Sequence, residues 1–593
     1  MTVVLAAQLG QVLLSLWLPA LNAAIIDDGI IAGNQRVIWV NGLIMLGAAL
    51  AQIACMVGAI YAGSRTSMEF GRDLRKRIFG HVQSFSATDK HRFGAPTLIT
   101  RTTNDVTQVQ MVVMMTFTVM ITAPIMGIGG IVMALQQDAQ LSWLLAVMVP
   151  VLALIIAGVM MKLTPRFKIQ QTRIDRINTL LREQLTGVRV IRAFVRQRSE
   201  REKFDGANRD LRKVGLEIGW LWSFMMPASL LVIGLSSVAV VWFGAGRINA
   251  GQMQVGALTA YITYLMMIFG AVMMGGMMAM MFPRGEVSAN RLTEIELVEP
   301  SIKAPARPRA LPAPGEPISF ELREATIQYE GAEEPVIAGA NMRVTPGATV
   351  AIIGSTGSGK SSLIRLFPRM IDAASGAVLA GGINVRDLDP RELRERIAFV
   401  PQKAFLFSGT IASNVAGLPR LAPKAARAAS HIDESRVRRA LEAAQAWEFV
   451  SELEDGIHAA VESGGMNFSG GQRQRLTIAR AIYRCLPSSS ESEHPDSTPM
   501  CTSAPADLLI FDDSFSALDF ATDAALRTHL REYIGDTAVL IVAQRVSTIR
   551  YADEIHVLGD GCIEASGTHA ELMDSSPTYR EIVSSQLTEE EAK

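Results

Sequence analysis

The chain has 593 residues, of which 49% are hydrophobic and only 19% charged, with a formal net charge of −1. A soluble domain carries about 25% charged residues, so this is neither a disordered chain nor a purely soluble enzyme. The near-zero charge excludes nucleic-acid binding through a bulk basic field. Four cysteines (Cys55, Cys485, Cys501 and Cys562) without metal-ligand spacing exclude a disulfide framework.

Crossing ~30 Å of hydrocarbon takes about 20 apolar residues. Six uncharged stretches of that kind precede residue 285: 2–26, 37–64, 106–137, 139–161, 218–246 and 248–283. The first lacks the basic leader of a signal peptide and is read as a retained span. Eight Lys and Arg residues lie in 64–110 and fifteen in 162–217, whereas the three other connections hold only Arg36 and Arg247. The basic connections are therefore expected on the cytoplasmic side, together with both termini, in a multi-pass protein of the cell inner membrane. Each basic stretch has few helix breakers and reads as a continuation of the spans into long cytoplasmic arms.

The span centres carry no Asp, Glu, Lys, Arg or His, which argues against ion-coupled transport and against a charged cargo held at the midplane. The sixth span is rich in methionine (Met266, Met267, Met273, Met274, Met277, Met278, Met280 and Met281). Such flexible, polarizable side chains suit either ordinary packing or a promiscuous apolar surface. Pro300, Pro305, Pro308, Pro312, Pro314 and Pro317 then mark an extended, semi-rigid linker. The expected organisation is a membrane domain over 1–296, a linker over 297–317 and a second domain over 318–593.

Residues 354–361 read Gly354, Ser355, Thr356, Gly357, Ser358, Gly359, Lys360, Ser361, the spacing of a phosphate loop. The apolar run 349–353 before it is a buried strand, and Ser361 opens a helix. The glycines let backbone N–H groups curl around phosphates, Lys360 reaches the β and γ oxygens, and the Ser361 hydroxyl can ligate Mg²⁺. The run 508–511 is a second buried strand ending in Asp512, where an acid can hold Mg²⁺ directly or through water. Between them stand Phe468, Ser469, Gly470, Gly471 and Gln472, followed by a basic helix.

This set resembles the ATP-binding cassette family, with Ser469–Gln472 similar to its LSGGQ signature and Phe468 in place of the first Leu. The resemblance implies an α/β P-loop NTPase cassette fused to an α-helical transmembrane bundle of six spans, an exporter-type half-transporter using ATP and Mg²⁺. Under it Tyr329 stacks on adenine, residues 354–361 and Ser362 hold the phosphates, and Gln402 senses the γ-phosphate and joins Ser361 and Asp512 at the metal. Asp519, in Ser516-Ala517-Leu518-Asp519, belongs to the loop facing the second nucleotide. Residues 94–105 and 185–194 are similar to the family's two intracellular loops. Two cassettes of this family sandwich two ATP molecules, each between one chain's phosphate loop and the other's signature, so a partner chain is implied.

Two departures bear on chemistry. After Asp512 the family places a Glu as general base, and this chain has Asp513, one methylene shorter. The family's switch histidine is replaced by Gln544, which can hydrogen-bond a phosphate but cannot carry a proton. The expectation is a degenerate ATP site on this chain's own phosphate loop and an intact signature lent to a partner, as in heterodimeric exporters. The expected cargo is hydrophobic or amphipathic, a lipid or drug. The alternatives are an importer of exporter fold, for example for siderophores, and an ATP-gated channel or regulatory subunit. A Ser- and Pro-rich insertion, 487–505, separates the signature helix from the Asp512 strand and is expected as a surface loop.

Overall fold

The computed structural model describes residues 2–329, 331–417, 432–487 and 505–586; the side chains of residues 279, 280 and 520 are outside that description. The Met280 side chain, Cys501 and the interior of the 487–505 insertion thus lie outside that description. The chain forms two compact bodies, residues 1–84 with 93–299, and residues 85–92 with 300–593.

In the first body six helices are long and apolar enough to cross a membrane: Thr2–Ile31, Gln35–Ser84, Ala95–Gln137, Trp143–Thr186, Gln197–Asn249 and Val255–Leu297. The second, fourth and fifth run 50, 44 and 53 residues. At 1.5 Å per residue they span about 65–80 Å, more than twice the ~30 Å of hydrocarbon. The basic stretches are therefore helical arms, and only the short helix Val188–Ala193 separates the fourth from the fifth.

The bundle core holds Tyr261, Tyr264, Phe269 and Leu152, all fully buried. Several buried polar groups find partners, as hydrocarbon favours, while the buried Ser229 hydroxyl of the fifth helix has none among the described residues. The Tyr264 hydroxyl donates to the Leu16 carbonyl at 2.8 Å, and Thr122 donates to Gln8 at 2.7 Å. Arg247, one of the two basic residues in the sparse connections, pairs with buried Asp138 at 2.6 Å. The methionines divide: Met267 and Met273 pack against the core, Met278 is buried, and Met266, Met274 and Met277 are exposed.

The second body is layered. A six-stranded sheet has the order β12-β11-β3-β10-β9-β6, and a four-stranded sheet the order β2-β1-β4-β5. The strands are β1 (Phe320–Ile327), β2 (Ile337–Val344), β3 (Thr349–Gly354), β4 (Ser375–Ala380), β5 (Ile383–Asn384), β6 (Ile397–Val400), β7 (Gly409–Thr410), β8 (Ala460–Val461), β9 (Leu508–Asp512), β10 (Ala538–Val542), β11 (Glu554–Gly559) and β12 (Cys562–Gly567). Strands β6, β9, β10, β3 and β11 are mutually parallel. Such a sheet is covered on both faces, which is why its strands read as continuous apolar runs. Val350, Ile352, Ile510 and Leu540 pack toward the antiparallel sheet. Their neighbours Ala351, Ile353, Phe511 and Ile541 pack toward the helices. Parallel order also brings the carboxyl ends of β3, β6, β9 and β10 to one edge, where ligands of open α/β sheets bind.

The proline-rich segment differs from a free spacer. Arg309 donates its N–H to the Asp387 carbonyl at 2.8 Å, and Leu311 is buried in the core. Arg396 donates to the carbonyls of Pro312, Ala313 and Glu316 and forms a buried ion pair with Asp507. A proline-rich chain has unpaired carbonyls to offer, and one guanidinium with five donors takes three of them.

Candidate active site

The loop after β3 is built for close approach. Gly357 and Gly359 adopt φ of +90° and +98°, a region L-residues with side chains rarely enter. A Cβ on Gly359 would stand 2.6 Å from Ile337 Cδ1, and one on Gly354 would overlap the Leu558 carbonyl oxygen. The Lys360 ammonium, 7% exposed, donates to the carbonyls of Gly354 and Ser355 at 2.7 and 2.6 Å. Burial pulls it below the usual lysine range, against the attraction of Asp513 and Asp512. The buried Ser358 hydroxyl has no hydrogen-bond partner among the described residues.

The Ser361 hydroxyl donates to Asp512 Oδ1 at 2.7 Å. A neutral hydroxyl and a carboxylate meeting at the end of β9 are hard oxygen donors, and they fit a small cation that keeps most of its waters and its phosphate ligands. That is the behaviour of Mg²⁺. Among the described residues no group of three or more His, Cys, Asp or Glu could hold a metal by itself.

Asp513 follows in a left-handed conformation, φ +48°. Its N–H is held by the Val542 carbonyl at 2.9 Å, and its own carbonyl accepts from Ser516 Oγ at 2.8 Å. One carboxylate oxygen, Oδ2, receives two amides: Gln544 Nε2 at 2.8 Å and Gln402 Nε2 at 3.2 Å. Burial pushes the Asp513 carboxyl above the ordinary range; the Gln402 hydrogen bond, Lys360 and Arg545 oppose this, and neighbouring Asp512 adds to it. Gln402 is thus tied to Asp513 rather than to the Ser361–Asp512 pair.

The Tyr329 hydroxyl lies 3.0 Å from Ser362 Oγ, and its ring packs on the core beneath the antiparallel sheet. The tyrosine therefore sits beside the phosphate loop, a placement suited to a nucleotide.

The signature opens the helix Gly470–Cys485, with Ser469 as its N-cap. Ser469 Oγ accepts from the Gln472 N–H at 3.3 Å, and Gln472 Oε1 accepts from the Ser469 N–H at 2.9 Å. This reciprocal box fixes the turn. Phe468 is buried against Phe449, so an aromatic ring is accommodated at the position of the family's leucine. Ser469 and Gly470 are exposed, and nothing lies within 4 Å of a Cβ on Gly470. The Ala517 carbonyl is 3.7 Å from a Cβ on Gly471. Among the described residues no hydrogen bond joins this signature to the chain's own phosphate loop. Asp519 caps the helix Phe520–Ile534, accepting from the Thr522 N–H at 2.9 Å and its hydroxyl at 2.8 Å, so its carboxylate is engaged structurally.

Sequence reasoning missed Gln586. From the C-terminal helix Pro577–Gln586 its Nε2 donates to the Gln544 carbonyl at 2.8 Å, while its Oε1 accepts from the Val546 N–H at 3.0 Å. No local pattern marks a lone glutamine at a helix end.

Comparison with known proteins adds the following. A family model described as ABC transporter transmembrane region matches residues 1–272, and one described as ABC transporter matches residues 337–486. The chain is 44% identical over 581 residues to an uncharacterized ABC transporter ATP-binding protein of Mycobacterium tuberculosis, covering 98% of this chain and 94% of the relative. A similarly described protein of Bacillus subtilis is 33% identical over 595 residues, covering 99% and 96%. An ATP-dependent lipid A-core flippase of Vibrio vulnificus is 27% identical over 568 residues, covering 95% and 91%. Among solved structures, a bacterial Atm1-family ABC exporter with ATP bound shares the fold with a TM-score of 0.76, covering 99% of this chain and 97% of that one at 20% identity.

Proposed function

The chain belongs to the ABC transporter family, in which ATP hydrolysis drives transport, and we propose that it is one half of a two-chain exporter. Its cargo is hydrophobic or amphipathic, its membrane is the cell's inner membrane, and its cassette is cytoplasmic. Charge-free span centres, the exposed methionines of the sixth span and the flippase relative support an apolar cargo. The distribution of Lys and Arg supports the orientation.

The two ATP sites of the pair differ. At the site on this chain, Lys360 and the glycine loop bind the phosphates, Tyr329 borders the base, and Ser361 with Asp512 would hold Mg²⁺. When bound, that ion neutralises charge on the phosphates. What this chain lacks is a free general base. The observation that carries the reading is that Asp513 Oδ2 is occupied by the amides of both Gln544 and Gln402. A carboxylate one methylene short of the family's glutamate and engaged by two donors is poorly placed to take a proton from water. Its neighbour Gln544 cannot carry a positive charge toward the γ-phosphate. This site therefore binds ATP and turns it over slowly. Ser469 and Gly470, exposed on their helix, complete the other site, on the partner's phosphate loop.

The test is to measure nucleotide binding and phosphate release by the purified chain, alone and with candidate partner half-transporters in lipid nanodiscs. The expected result is tight ATP binding with slow turnover alone, and fast turnover with the right partner that rises further on adding apolar compounds. Turnover of about 10 s⁻¹, ordinary for enzymes, by the chain alone contradicts the degenerate site. A stringent requirement for a sugar or free amino acid contradicts the cargo class.

A further inference from the structure

We propose that Gln586 is a positioning residue for the ATP site, acting from the C-terminal helix on the loop that carries Gln544. The proposal rests on the reading of Asp513 and Gln544 as parts of that site.

Strand β10 pairs with β3 and β9 as far as Val542, and one more bond, from the Ala543 N–H to the Ile352 carbonyl, ends the ladder. Beyond it, residues 544–546 leave the sheet. They turn into the short helix Val546–Ile549, and at that turn the Gln544 amide stands 2.8 Å from Asp513 Oδ2. The Gln586 side chain supplies what a neighbouring strand would have supplied. Its amide gives a donor to the Gln544 carbonyl and an acceptor to the Val546 N–H, at 2.8 and 3.0 Å. A primary amide carries both functions on one planar group at any ordinary pH, and two bonds to alternate backbone groups fix orientation as well as position.

The clamp is mounted on a rigid support. Tyr579 and Val583 are 0% and 1% exposed, and Gln586 follows them at helical spacing, on the same face. The Tyr579 hydroxyl is itself held 2.7 Å from His569 Nδ1. The sequence of contacts runs from a buried helix face through Gln586 to the backbone of residues 544 and 546, and through the Gln544 side chain to Asp513. Gln586 itself is exposed, so its removal leaves no cavity; what it takes away is the acceptor of the N–H of buried Val546.

The experiment compares the full-length chain with Q586M, Q544A and the double variant in nanodiscs. It measures release of a fluorescent ATP analogue, single-turnover hydrolysis and the thermal midpoint. Methionine keeps the length of glutamine and removes both hydrogen-bonding functions. The expected result is that Q586M and Q544A each quicken analogue release by about fivefold to tenfold, the scale of a lost hydrogen bond or two. The double variant should be no faster than Q544A alone, and the Q586M midpoint should stay within about 4 °C of the parent, the cost of one lost hydrogen bond. If Q544A quickens release and Q586M does not, or if their effects multiply, Gln586 is not positioning Gln544 and the proposal is wrong while the site reading stands. If Q544A has no effect, the site reading fails and the proposal fails with it. If Q586M lowers the midpoint by more than that and its effect multiplies with that of Q544A, its role is general stability and the proposal is again wrong.

Discussion

Restoring the missing base is the most direct perturbation of the site. Asp513→Glu adds one methylene, which carries the carboxylate forward by about 1–1.5 Å. In the present arrangement Oδ2 already has Gln544 Nε2 at 2.8 Å and Gln402 Nε2 at 3.2 Å. A glutamate advancing toward the Gln544 amide would run into it, so the single substitution is expected to give little. The double variant D513E/Q544H removes that amide, leaving Gln402 as the longer of the two donors to the carboxylate, and introduces a group able to carry a proton. A misplacement of about 1 Å costs roughly 10²-fold in rate. Correcting it is therefore worth about 2.7 kcal/mol of barrier, at 1.36 kcal/mol per tenfold. Steady-state phosphate release by the purified full-length chain at saturating Mg-ATP reads this directly, with the same variant carrying K360A as blank. The double variant should exceed the parent by about 10²-fold, and D513E alone by much less. The reasoning is refuted if the double variant binds nucleotide as the parent does and hydrolyses it no faster.

Two further expectations concern asymmetry and pH. With the wild-type partner, K360A should weaken nucleotide holding at this chain's site yet leave substantial turnover, whereas S469A/G470D should cost 10²–10³ in rate, the cost of losing a phosphate-facing donor; equal losses in the two variants would mean that the sites are equivalent or tightly coupled. Burial pulls His556 down to about 4 from its ordinary 6.5. Its Nδ1 is 2.6 Å from Ser566 Oγ, and Nε2, 3.6 Å from Glu554, has no hydrogen-bond partner among the described residues. A depressed histidine contributes stability that is fully present above the unfolded value and is lost as pH falls from about 6.5 toward about 4, here on the order of 3 kcal/mol. Thermal midpoints measured from pH 7 down to pH 4.5 should therefore fall more steeply in the parent than in H556Q, and parallel curves would exclude His556 as the cause.

How much of this was legible in the sequence depended on whether chemistry constrains residue type at short range. Phosphate binding demands glycines, a lysine and a hydroxyl at fixed spacing, so residues 354–361 could be read directly. The Asp512 strand was legible because a strand buried on both faces must be apolar throughout and its terminal acid stands out. Long membrane arms followed from charged but breaker-poor stretches. The contacts that were not legible join residues far apart in the chain. Nothing in the local sequence ties Gln586 to Gln544, 42 positions earlier, or Arg396 to the carbonyls of Pro312 and Ala313. The prolines announced an extended segment but not the guanidinium that receives it. The competition of Gln402 and Gln544 for one oxygen of Asp513 likewise needed three separate strand ends brought to one edge.

The Arg396–Asp507 pair has an implication for how this cassette tolerates added sequence. Strand β9 begins one residue after Asp507, whose N–H is held by the Arg396 carbonyl at 2.8 Å; the preceding residue, Ala506, donates its N–H to the Arg484 carbonyl at 2.9 Å. The end of the signature helix and the start of β9 are thus stitched together whatever is inserted between them. Lengthening a closed excursion costs only about 0.6 kcal/mol per doubling, and this one departs from the strand end opposite Asp512 and Asp513. A reporter peptide or affinity tag spliced between residues 487 and 505 is therefore expected to leave the register of β9, and with it the spacing of the two acids, where it was.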